Sequence, residues 1–383
     1  MRIALLCPDL SSNSLVRTYP IAKVLGRRHE IYLVGFQFGH EVFEPYRHEF
    51  DYEAIVARRL PAFLKQVRAV ARGIRADAVY AFKPLPSSLW VALWARRLHR
   101  IPVFLDIEDW EAGWYYDVPW LDGVRHLVHL ERPNGLLWTW ATEKAATGAD
   151  EIFVASRWLQ RRFGGTRLIH GADTTMFDPS IWDRTAARAR LGLDDGRYVV
   201  FTGSAMPNKG LDDLLEAVSV VGDPRLRVLI VGSFRHDPEY RQRLVDRYGS
   251  RVVLIGPRPH AEMPLFLTIA DVVVLPQRVA RGTTAQVPGK VFEAMAMARP
   301  IVATAVSDLP EILDGCGVIV PPDSVDKLAE AIDRLLRRPD DARTLGQEAR
   351  RRCQEHYSWD AMERVLEGRL DKWERSRAED AYS

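Results

Sequence analysis

The 383-residue sequence has few of the features that direct a protein to a membrane, to nucleic acid or to an oxidising compartment. Its three cysteines lie far apart without a CxxC pair, so we expect neither disulfides nor a zinc ribbon, and a reducing compartment fits. No apolar run approaches the ~18 residues of a membrane span, and the N-terminus turns polar too soon for a signal peptide. The net charge of +2 gives no bulk attraction to nucleic acid. These absences predict a cytoplasmic protein that binds no nucleic acid.

The remaining composition, 47% hydrophobic and 27% charged, suits a folded protein, and its length predicts two domains. Short apolar runs alternate with segments of helical periodicity, which is typical of parallel sheets covered on both faces. The predicted strands of the first half are Ile3–Cys7, Ile31–Phe36, Ala78–Phe82, Pro102–Leu105 and Ile152–Ala155. Those of the second half are Tyr198–Thr202, Leu226–Val231, Val252–Ile255, Val272–Leu275, Ile301–Thr304 and Val318–Val320.

A stretch containing Gly, Asp and Pro, residues 170–179, separates the two series of strands and predicts an interdomain linker. We therefore predict an α/β protein of two tandem Rossmann-like domains facing across a cleft. The first domain comprises residues 1–172 with a C-terminal helix, 358–383, packing back on it, and the second comprises residues 173–357. Ligands of such sheets bind at the carboxyl ends of the strands.

One segment with chemical character joins a predicted strand to a predicted helix. It reads Phe201-Thr202-Gly203-Ser204-Ala205-Met206-Pro207-Asn208-Lys209-Gly210. Free N–H groups at a helix start attract anions, and Lys209 adds a full positive charge, so the segment suits a phosphate site. Taken alone, an ordinary strand–loop–helix unit with a surface lysine explains it equally well.

A second segment places a lysine and a carboxylate at the start of another helix. It reads Pro288-Gly289-Lys290-Val291-Phe292-Glu293. A carboxylate there can accept hydrogen bonds from ribose hydroxyls, while the helix N–H groups can bind phosphate oxygens. The alternative, which the segment alone favours, is that Glu293 only complements the helix dipole.

Together with the sequence around them, these segments resemble glycosyltransferase family 4, whose members have the GT-B fold. His170-Gly171-Ala172-Asp173-Thr174 and the following Phe177-Asp178-Pro179 are similar to the linker of that family. Residues 270–276 and 300–312 are similar to later strand ends, in the same order. The N-terminal half is similar to the family only in its alternation of predicted strands and helices.

The resemblance implies a retaining, nucleotide-sugar-dependent transferase whose donor is a UDP- or GDP-sugar and which needs no metal and no other cofactor. It implies that Lys209 contacts the donor diphosphate and stabilises the departing charge. It also implies that Glu293 binds the ribose. The other donor-site residues implied are Gly203, Ser204, Pro257, Arg258, Pro288, Gly289 and Lys290.

Two positions depart from the pattern of the family. Ser204 stands where relatives often carry Arg, and we expect Arg278 or Arg281 to supply the missing charge. Ala285 stands where the first Glu of an E-x7-E motif is expected, beside Gln286, a candidate contact for the sugar. The sequence therefore does not name the donor sugar.

In the N-terminal half, four carboxylates follow a predicted strand within six residues: Asp106, Glu108, Asp109 and Glu111. Their mutual repulsion can raise a pKa. Asp109 or Asp106 stands where the family often has a His, so we predict that either is catalytic, binding the sugar or accepting the proton of the acceptor. Glu108 and Trp110 are predicted substrate contacts. The alternative is an exposed acidic turn with a helix cap.

Other polar and aromatic residues of this half are candidates for substrate binding. Ser11, Ser12 and Asn13 follow the first strand and could bind a phosphate or sugar, although Asn13 or Ser14 could equally cap the next helix. Eight of the 11 tryptophans fall within residues 90–158, including Trp120. Aromatic faces stack on sugar rings, but core packing explains most such residues.

Residues 54–75 read as an amphipathic helix with a basic face, which Pro61 could interrupt. Such a helix could rest on anionic lipid at the inner face of the membrane. A solvated helix covering the sheet is the more frequent explanation. Peripheral membrane contact through the N-terminal domain is therefore kept as one hypothesis.

We predict a glycosyltransferase whose N-terminal domain holds a small-molecule, saccharide or lipid-linked acceptor. Two other functions remain open. One is a GT-B nucleotide-sugar 2-epimerase. The other is a catalytically silent nucleotide-sugar-binding subunit, which the changes at Ser204 and Ala285 favour.

Overall fold

Two parallel sheets, one in each half of the chain, organise the protein. The structure is a computed structural model, and it describes residues 1–116, 130–234 and 237–382. Contacts between residues divide the chain into a first unit of Met1–His170 with Trp359–Ser383, and a second unit of Gly171–Ser358.

The first unit contains a seven-stranded sheet of order β3-β2-β1-β4-β5-β6-β7 in which every neighbouring pair is parallel. Its strands are β1 Arg2–Cys7, β2 Glu30–Gln37, β3 Tyr52–Val56, β4 Ala78–Phe82, β5 Val103–Ile107, β6 Glu151–Val154 and β7 Thr166–Arg167. The α-helices that the structure describes before residue 170 are α1 Leu15–Leu25, α2 Ala62–Gly73, α3 Val91–His99, α4 Glu111–Tyr116, α5 Leu136–Lys144 and α6 Arg157–Phe163. The central strands are buried along their whole length, as an apolar strand covered on both faces requires.

The second unit contains a six-stranded parallel sheet of order β10-β9-β8-β11-β12-β13. Its strands are β8 Arg197–Thr202, β9 Leu226–Val231, β10 Val252–Ile255, β11 Val272–Leu275, β12 Ile301–Thr304 and β13 Val318–Val320. Its helices are α7 Arg184–Leu191, α8 Leu211–Val221, α9 Pro238–Tyr248, α10 Met263–Thr268, α11 Arg281–Ala285, α12 Lys290–Ala296, α13 Leu309–Ile312, α14 Val325–Arg337 and α15 Pro339–His356. Because the order reverses beside β8, the carboxyl end of this strand is the switch point at which such sheets bind ligands.

The last helix, α16 Trp359–Tyr382, belongs to the first unit and packs along α1. Its apolar face, which includes Trp359, Met362, Leu366 and Leu370, is buried in the same core as β1. Ion pairs from Arg27 to Asp360 and Glu363 flank that apolar contact.

The predicted strands are all present, with ends that shift by one or two residues, so the two-sheet α/β prediction is confirmed. The predicted helix over 54–75 is wrong in its first part. Residues Tyr52–Val56 instead pair with β2 as an edge strand, and α2 begins only after Pro61. Within the described part of the chain, no helix combines the length and apolar character needed to cross a bilayer.

Candidate active site

Two glycines shape the loop that follows β8. Gly203 has φ +111, and Gly210, which directly precedes α8, has φ +69, a conformation that favours glycine. A Cβ at Gly210 would lie 1.8 Å from the carbonyl oxygen of Pro276, so no side chain fits there. The Lys209-Gly210 pair therefore fixes the lysine at the entrance to α8.

The structure brings Lys209 together with Gln286, two residues predicted to bind the donor. The Lys209 ammonium donates a hydrogen bond to the Gln286 side-chain oxygen at 2.6 Å. The two residues come from the loops after β8 and β11, neighbouring strands of the sheet. A substrate that meets Lys209 therefore also meets an amide suited to hydroxyl groups.

A second lysine, Lys290, reaches the same place from the first turn of α12. Its Nζ donates to the Thr202 carbonyl oxygen at 2.5 Å and lies 3.7 Å from the centre of the Phe201 ring. Burial, and then the positive charge of Lys209, lowers the pKa of Lys290 well below its ordinary value, which Glu293 opposes. The end of β8 therefore carries two neighbouring lysine side chains.

Glu293 lies one helical turn after Lys290 on α12, so the carboxylate and the ammonium share one face of the helix. Its Oε1 is 2.9 Å from His260 Nε2, and the His260 ring contacts Phe177 at 5.5 Å between centroids. The sequence did not indicate His260, which is brought near only by the loop after β10. The same loop carries Pro257 and Arg258, both exposed.

Arg278 does not provide the charge expected to compensate for Ser204. Its guanidinium donates to both carboxylate oxygens of Asp213, at 2.7 and 2.5 Å. This hydrogen-bonded pair raises the pKa of Arg278 and neutralises its charge. The prediction for Arg278 is therefore not supported, and Arg281, at the exposed start of α11, remains untested.

The remaining predicted donor residues line the same loops. Ser204 is half-buried directly after the exposed Gly203. Pro288 is buried and Gly289 half-buried immediately before α12. The structure thus gathers these backbone segments around the two lysines.

In the first unit, the predicted acidic cluster surrounds a lysine that sequence reasoning missed. Lys83 follows β4, and its Nζ lies 2.7 Å from Glu111, 3.1 Å from Asp109 and 3.4 Å from Glu108. Although burial opposes it, these three carboxylates raise the pKa of Lys83 well above its ordinary value. The sequence did contain a signal, because Lys83 directly follows the predicted strand Ala78–Phe82. The structure pairs this strand in parallel with β5, so the carboxyl ends of the two strands lie together.

Glu108 is buried in this cluster, with one carboxylate oxygen 3.4 Å from His170 Nε2. Burial, together with the charge of Asp109, raises the pKa of Glu108 to about 8, although Lys83 opposes the shift. A protonated carboxyl group can donate a hydrogen bond as well as accept one. The cluster therefore presents groups suited to a polyhydroxylated ligand, rather than the exposed acidic turn that was the alternative.

Asp106 is not available for catalysis, contrary to its predicted role. Its carboxylate receives two hydrogen bonds from Arg17, both at 2.9 Å, and one from the Tyr80 hydroxyl at 2.8 Å. The side chains of Arg17 and Asp106 are 1% and 0% exposed. The carboxylate is therefore a structural partner of Arg17 within the core.

Trp110 and the loop after β1 are also occupied by protein contacts. The Trp110 ring lies 4.8 Å from the Trp158 ring and 4.8 Å from the Arg162 guanidinium, so the packing explanation is favoured. Trp120 lies outside the described residues. The Ser11 hydroxyl accepts the Gly39 N–H, the Ser12 hydroxyl donates to the Asp9 carbonyl, and Asn13 is exposed. This loop is built chiefly by its own hydrogen bonds.

Two family models match the chain. The family described as "Glycosyl transferase 4-like domain" matches residues 35–201, and "Glycosyl transferases group 1" matches residues 196–338. Taken together, these glycosyltransferase domain models cover residues 35–338; the chain has the GT-B fold and resembles glycosyltransferase family 4 along most of its length.

Individual relatives agree with this assignment. A GDP-mannose-dependent monoacylated alpha-(1-6)-phosphatidylinositol monomannoside mannosyltransferase from Corynebacterium glutamicum is 30% identical over 57% of this chain and 61% of its own. A D-inositol 3-phosphate glycosyltransferase from Mycobacterium bovis is 36% identical over 44% of this chain and 36% of its own. The chain thus spans less than two thirds of these curated relatives. The crystal structure of Anabaena Alr3699/HepE in complex with UDP-glucose is 18% identical, with a TM-score of 0.74 over 97% of this chain and 100% of that one, which shows the shared fold.

The structural role of Asp106 predicts a large loss of stability on substitution. We expect Asp106→Asn to lower the free energy of unfolding by about 3–5 kcal/mol, because it leaves the buried Arg17 without a counter-charge. Urea unfolding followed by fluorescence measures the loss. In the control Asp360→Asn, whose carboxylate is 69% exposed opposite Arg27, we expect a loss below about 1 kcal/mol. Equal, small losses in both variants would contradict the structural role.

The pKa of Glu108 predicts how stability depends on pH. The folded carboxyl group keeps its proton up to about pH 8, whereas the unfolded one releases it near 4.5, so the folded state binds more protons in between. Stability should therefore fall as the pH rises through this window.

Substituting Glu108 tests this pH dependence. Glu108→Gln should flatten the fall, whereas Glu41→Gln, at an exposed surface pair, should leave it unchanged. Thermal unfolding between pH 5 and 9 is the measurement. An identical slope in wild type and Glu108→Gln would rule out the shifted carboxyl group.

Proposed function

We propose that the protein is a retaining glycosyltransferase that moves a sugar from a nucleotide-diphosphate donor to an acceptor hydroxyl. The observation that carries this proposal is Lys209 at the carboxyl end of β8, together with Glu293 on helix α12, whose first turn contacts the end of that strand. A cation suits a diphosphate, and a carboxylate at the same strand end suits the vicinal hydroxyls of a ribose. Few ligands other than a nucleoside diphosphate need both a cation and a carboxylate in one site.

In the proposed reaction, the bond between the sugar's anomeric carbon and the diphosphate oxygen breaks, and a new bond forms to the acceptor oxygen. The diphosphate leaves with the electron pair of the broken bond, and the acceptor hydroxyl loses its proton. Lys209 stabilises the negative charge that grows on the leaving group, so no metal is needed in this proposal. Asp109 is the proposed group for binding the acceptor or taking its proton, held by Lys83 at 3.1 Å.

The donor class follows from the relatives. The mannosyltransferase from Corynebacterium glutamicum is named as GDP-mannose-dependent, and the Anabaena structure holds UDP-glucose. We therefore propose a UDP- or GDP-sugar as the donor. The relatives' names include a phosphatidylinositol mannoside and an inositol phosphate, which supports a small-molecule, saccharide or lipid-linked acceptor.

A silent nucleotide-sugar-binding subunit is the second candidate function. Ser204 and Ala285, which replace a cation and a carboxylate expected in the family, favour it. The two functions differ in one measurement, because a silent binder releases no nucleoside diphosphate from a bound donor. A 2-epimerase would instead release the nucleotide with an altered sugar.

The role of Lys209 gives the first functional prediction. After a thermal-shift screen of UDP- and GDP-sugars has identified the donor, Lys209→Gln should lower the rate of diphosphate release about 100- to 1,000-fold. The loss of a cation at the leaving group is the reason. Lys327→Gln, on the exposed face of α14, serves as the control and should keep the full rate. Unchanged turnover in a folded Lys209→Gln variant would refute the phosphate role.

We further propose that the protein works in the cytoplasm and that its first unit binds the inner membrane surface peripherally. Residues 57–105 contain ten Lys and Arg but a single acidic residue, Asp77. On α2 and α3, exposed apolar side chains lie among these cations, with the Arg68 guanidinium 4.9 Å from the Trp94 ring and with Leu64 and Leu98 one turn away. Basic and apolar groups on one face suit anionic lipid.

Vesicle binding tests the membrane proposal. The protein should sediment with vesicles of phosphatidylcholine and phosphatidylglycerol in equal parts, but not with phosphatidylcholine alone. Since each basic residue near such a surface contributes about 1 kcal/mol, reversing Arg68 and Arg72 to Glu should weaken binding at least tenfold. Arg337→Glu on α14 is the matched control. Equal binding to both vesicle types would exclude an anionic-surface role.

A further inference from the structure

The proposed donor site needs more positive charge than Lys209 alone can supply. A nucleoside diphosphate carries several negative charges, and a charged ligand is bound best where each charge finds a fixed partner. Ser204 offers a hydroxyl where the family pattern has Arg, and the charge of Arg278 is neutralised by Asp213. A second cation must therefore come from elsewhere in the site.

We infer that the Lys290 ammonium is this second cation and binds the donor diphosphate in place of the absent arginine at position 204. The inference rests on the proposed function and assigns one side chain within the same site. Lys290 approaches from α12, whereas the arginine of the family pattern would approach from the loop after β8.

The position of the ammonium supports this assignment. A Cβ built on Gly203 would lie 3.2 Å from Lys290 Nζ, so the ammonium sits directly against the residue that precedes Ser204. Gly203 is exposed, and a ligand approaching its backbone therefore comes within reach of Nζ. Lys209 is close enough for its charge to act on Lys290.

The contacts of Lys290 leave it able to bind an anion. An ammonium has three donors, and in this structure Nζ donates to the Thr202 carbonyl oxygen and rests on the face of Phe201. No ion pair among the described residues involves Lys290. Glu293, the carboxylate on the same face of α12, hydrogen-bonds to His260 instead.

This environment makes donor binding depend on a proton. Burial and Lys209 lower the pKa of Lys290 in the ligand-free protein, and a bound diphosphate would raise it again. Donor binding should therefore take up a proton, and the affinity should fall as the pH rises. A lysine with only a packing role would show neither effect.

Calorimetry with Lys290→Met tests the inference, because Met keeps an apolar stem against Phe201 without the charge. The probe is whichever of UDP and GDP binds the wild type more tightly, with its monophosphate and its nucleoside for comparison. We expect Lys290→Met to weaken diphosphate binding at least tenfold, to weaken monophosphate binding less and to leave nucleoside binding unchanged. Lys327→Met is the matched control and should bind as the wild type does.

Two further measurements test the charge itself. Binding heats in buffers of different ionisation heat, measured across a series from pH 7 to pH 10, should show proton uptake by the wild type that Lys290→Met lacks. Adding Ser204→Arg to Lys290→Met should restore most of the lost affinity, since it returns the cation to the position of the family pattern.

The inference is overturned if Lys290→Met binds the diphosphate as tightly as the wild type. It is also overturned if the wild type takes up no proton at any pH of the series, a measurement that needs no variant and holds even if Lys290→Met does not fold. Neither result would contradict the proposed function. That proposal fails instead if the wild type binds neither UDP nor GDP.

Discussion

The close approach of two lysines at the carboxyl end of β8 is the constraint on which the functional interpretation depends. Like charges in a partly buried place repel each other, so the fold must hold them there by other contacts. Gly210 holds the Lys209 loop, because only a residue without a side chain can pass the Pro276 carbonyl. Lys290 is held by the Thr202 carbonyl and the Phe201 ring. The two amino groups are therefore held in position before any ligand arrives, and groups positioned in advance stabilise a developing negative charge most effectively.

The first unit has the opposite charge balance at the corresponding end of its sheet. Lys83 lies among Glu108, Asp109 and Glu111, so acidic groups outnumber the single lysine. A buried excess of negative charge favours protonation, and the raised pKa of Glu108 follows from it. Groups that can both donate and accept hydrogen bonds suit hydroxyl-bearing ligands, whereas they would repel a diphosphate. The two units thus differ in the charge that they carry at the carboxyl ends of their sheets.

Much of this could be predicted from the sequence, because apolar strand runs and glycine-bounded loops are local signals. The strands of both sheets followed from such runs, and the Lys209 and Glu293 segments from their place at strand ends. β3 was missed because Tyr52–Val56 is an edge strand with three of its five residues exposed, which lacks the continuous apolar run. Lys83, His260 and the pairing of Asp106 with Arg17 depend on contacts between residues far apart in sequence. From the sequence alone, a cluster of four carboxylates does not reveal which one is paired with a buried cation in the core.

One-to-one pairing within the protein distinguishes structural charges from those available for function, whereas Asp109 shares the single Lys83 with Glu108 and Glu111. Asp106 and Arg278 looked like ligands for a substrate, yet each is matched by an opposite charge, and such a pair gains little by exchanging its partner for a ligand. Among the residues that the structure describes, Lys290 is matched only by a carbonyl oxygen and an aromatic face, which do not neutralise an ammonium charge. An anion entering this site would relieve repulsion between Lys290 and Lys209 as well as forming its own hydrogen bonds. The absence of arginine at position 204 is therefore compatible with donor binding, since the charge it would bring is already present on α12.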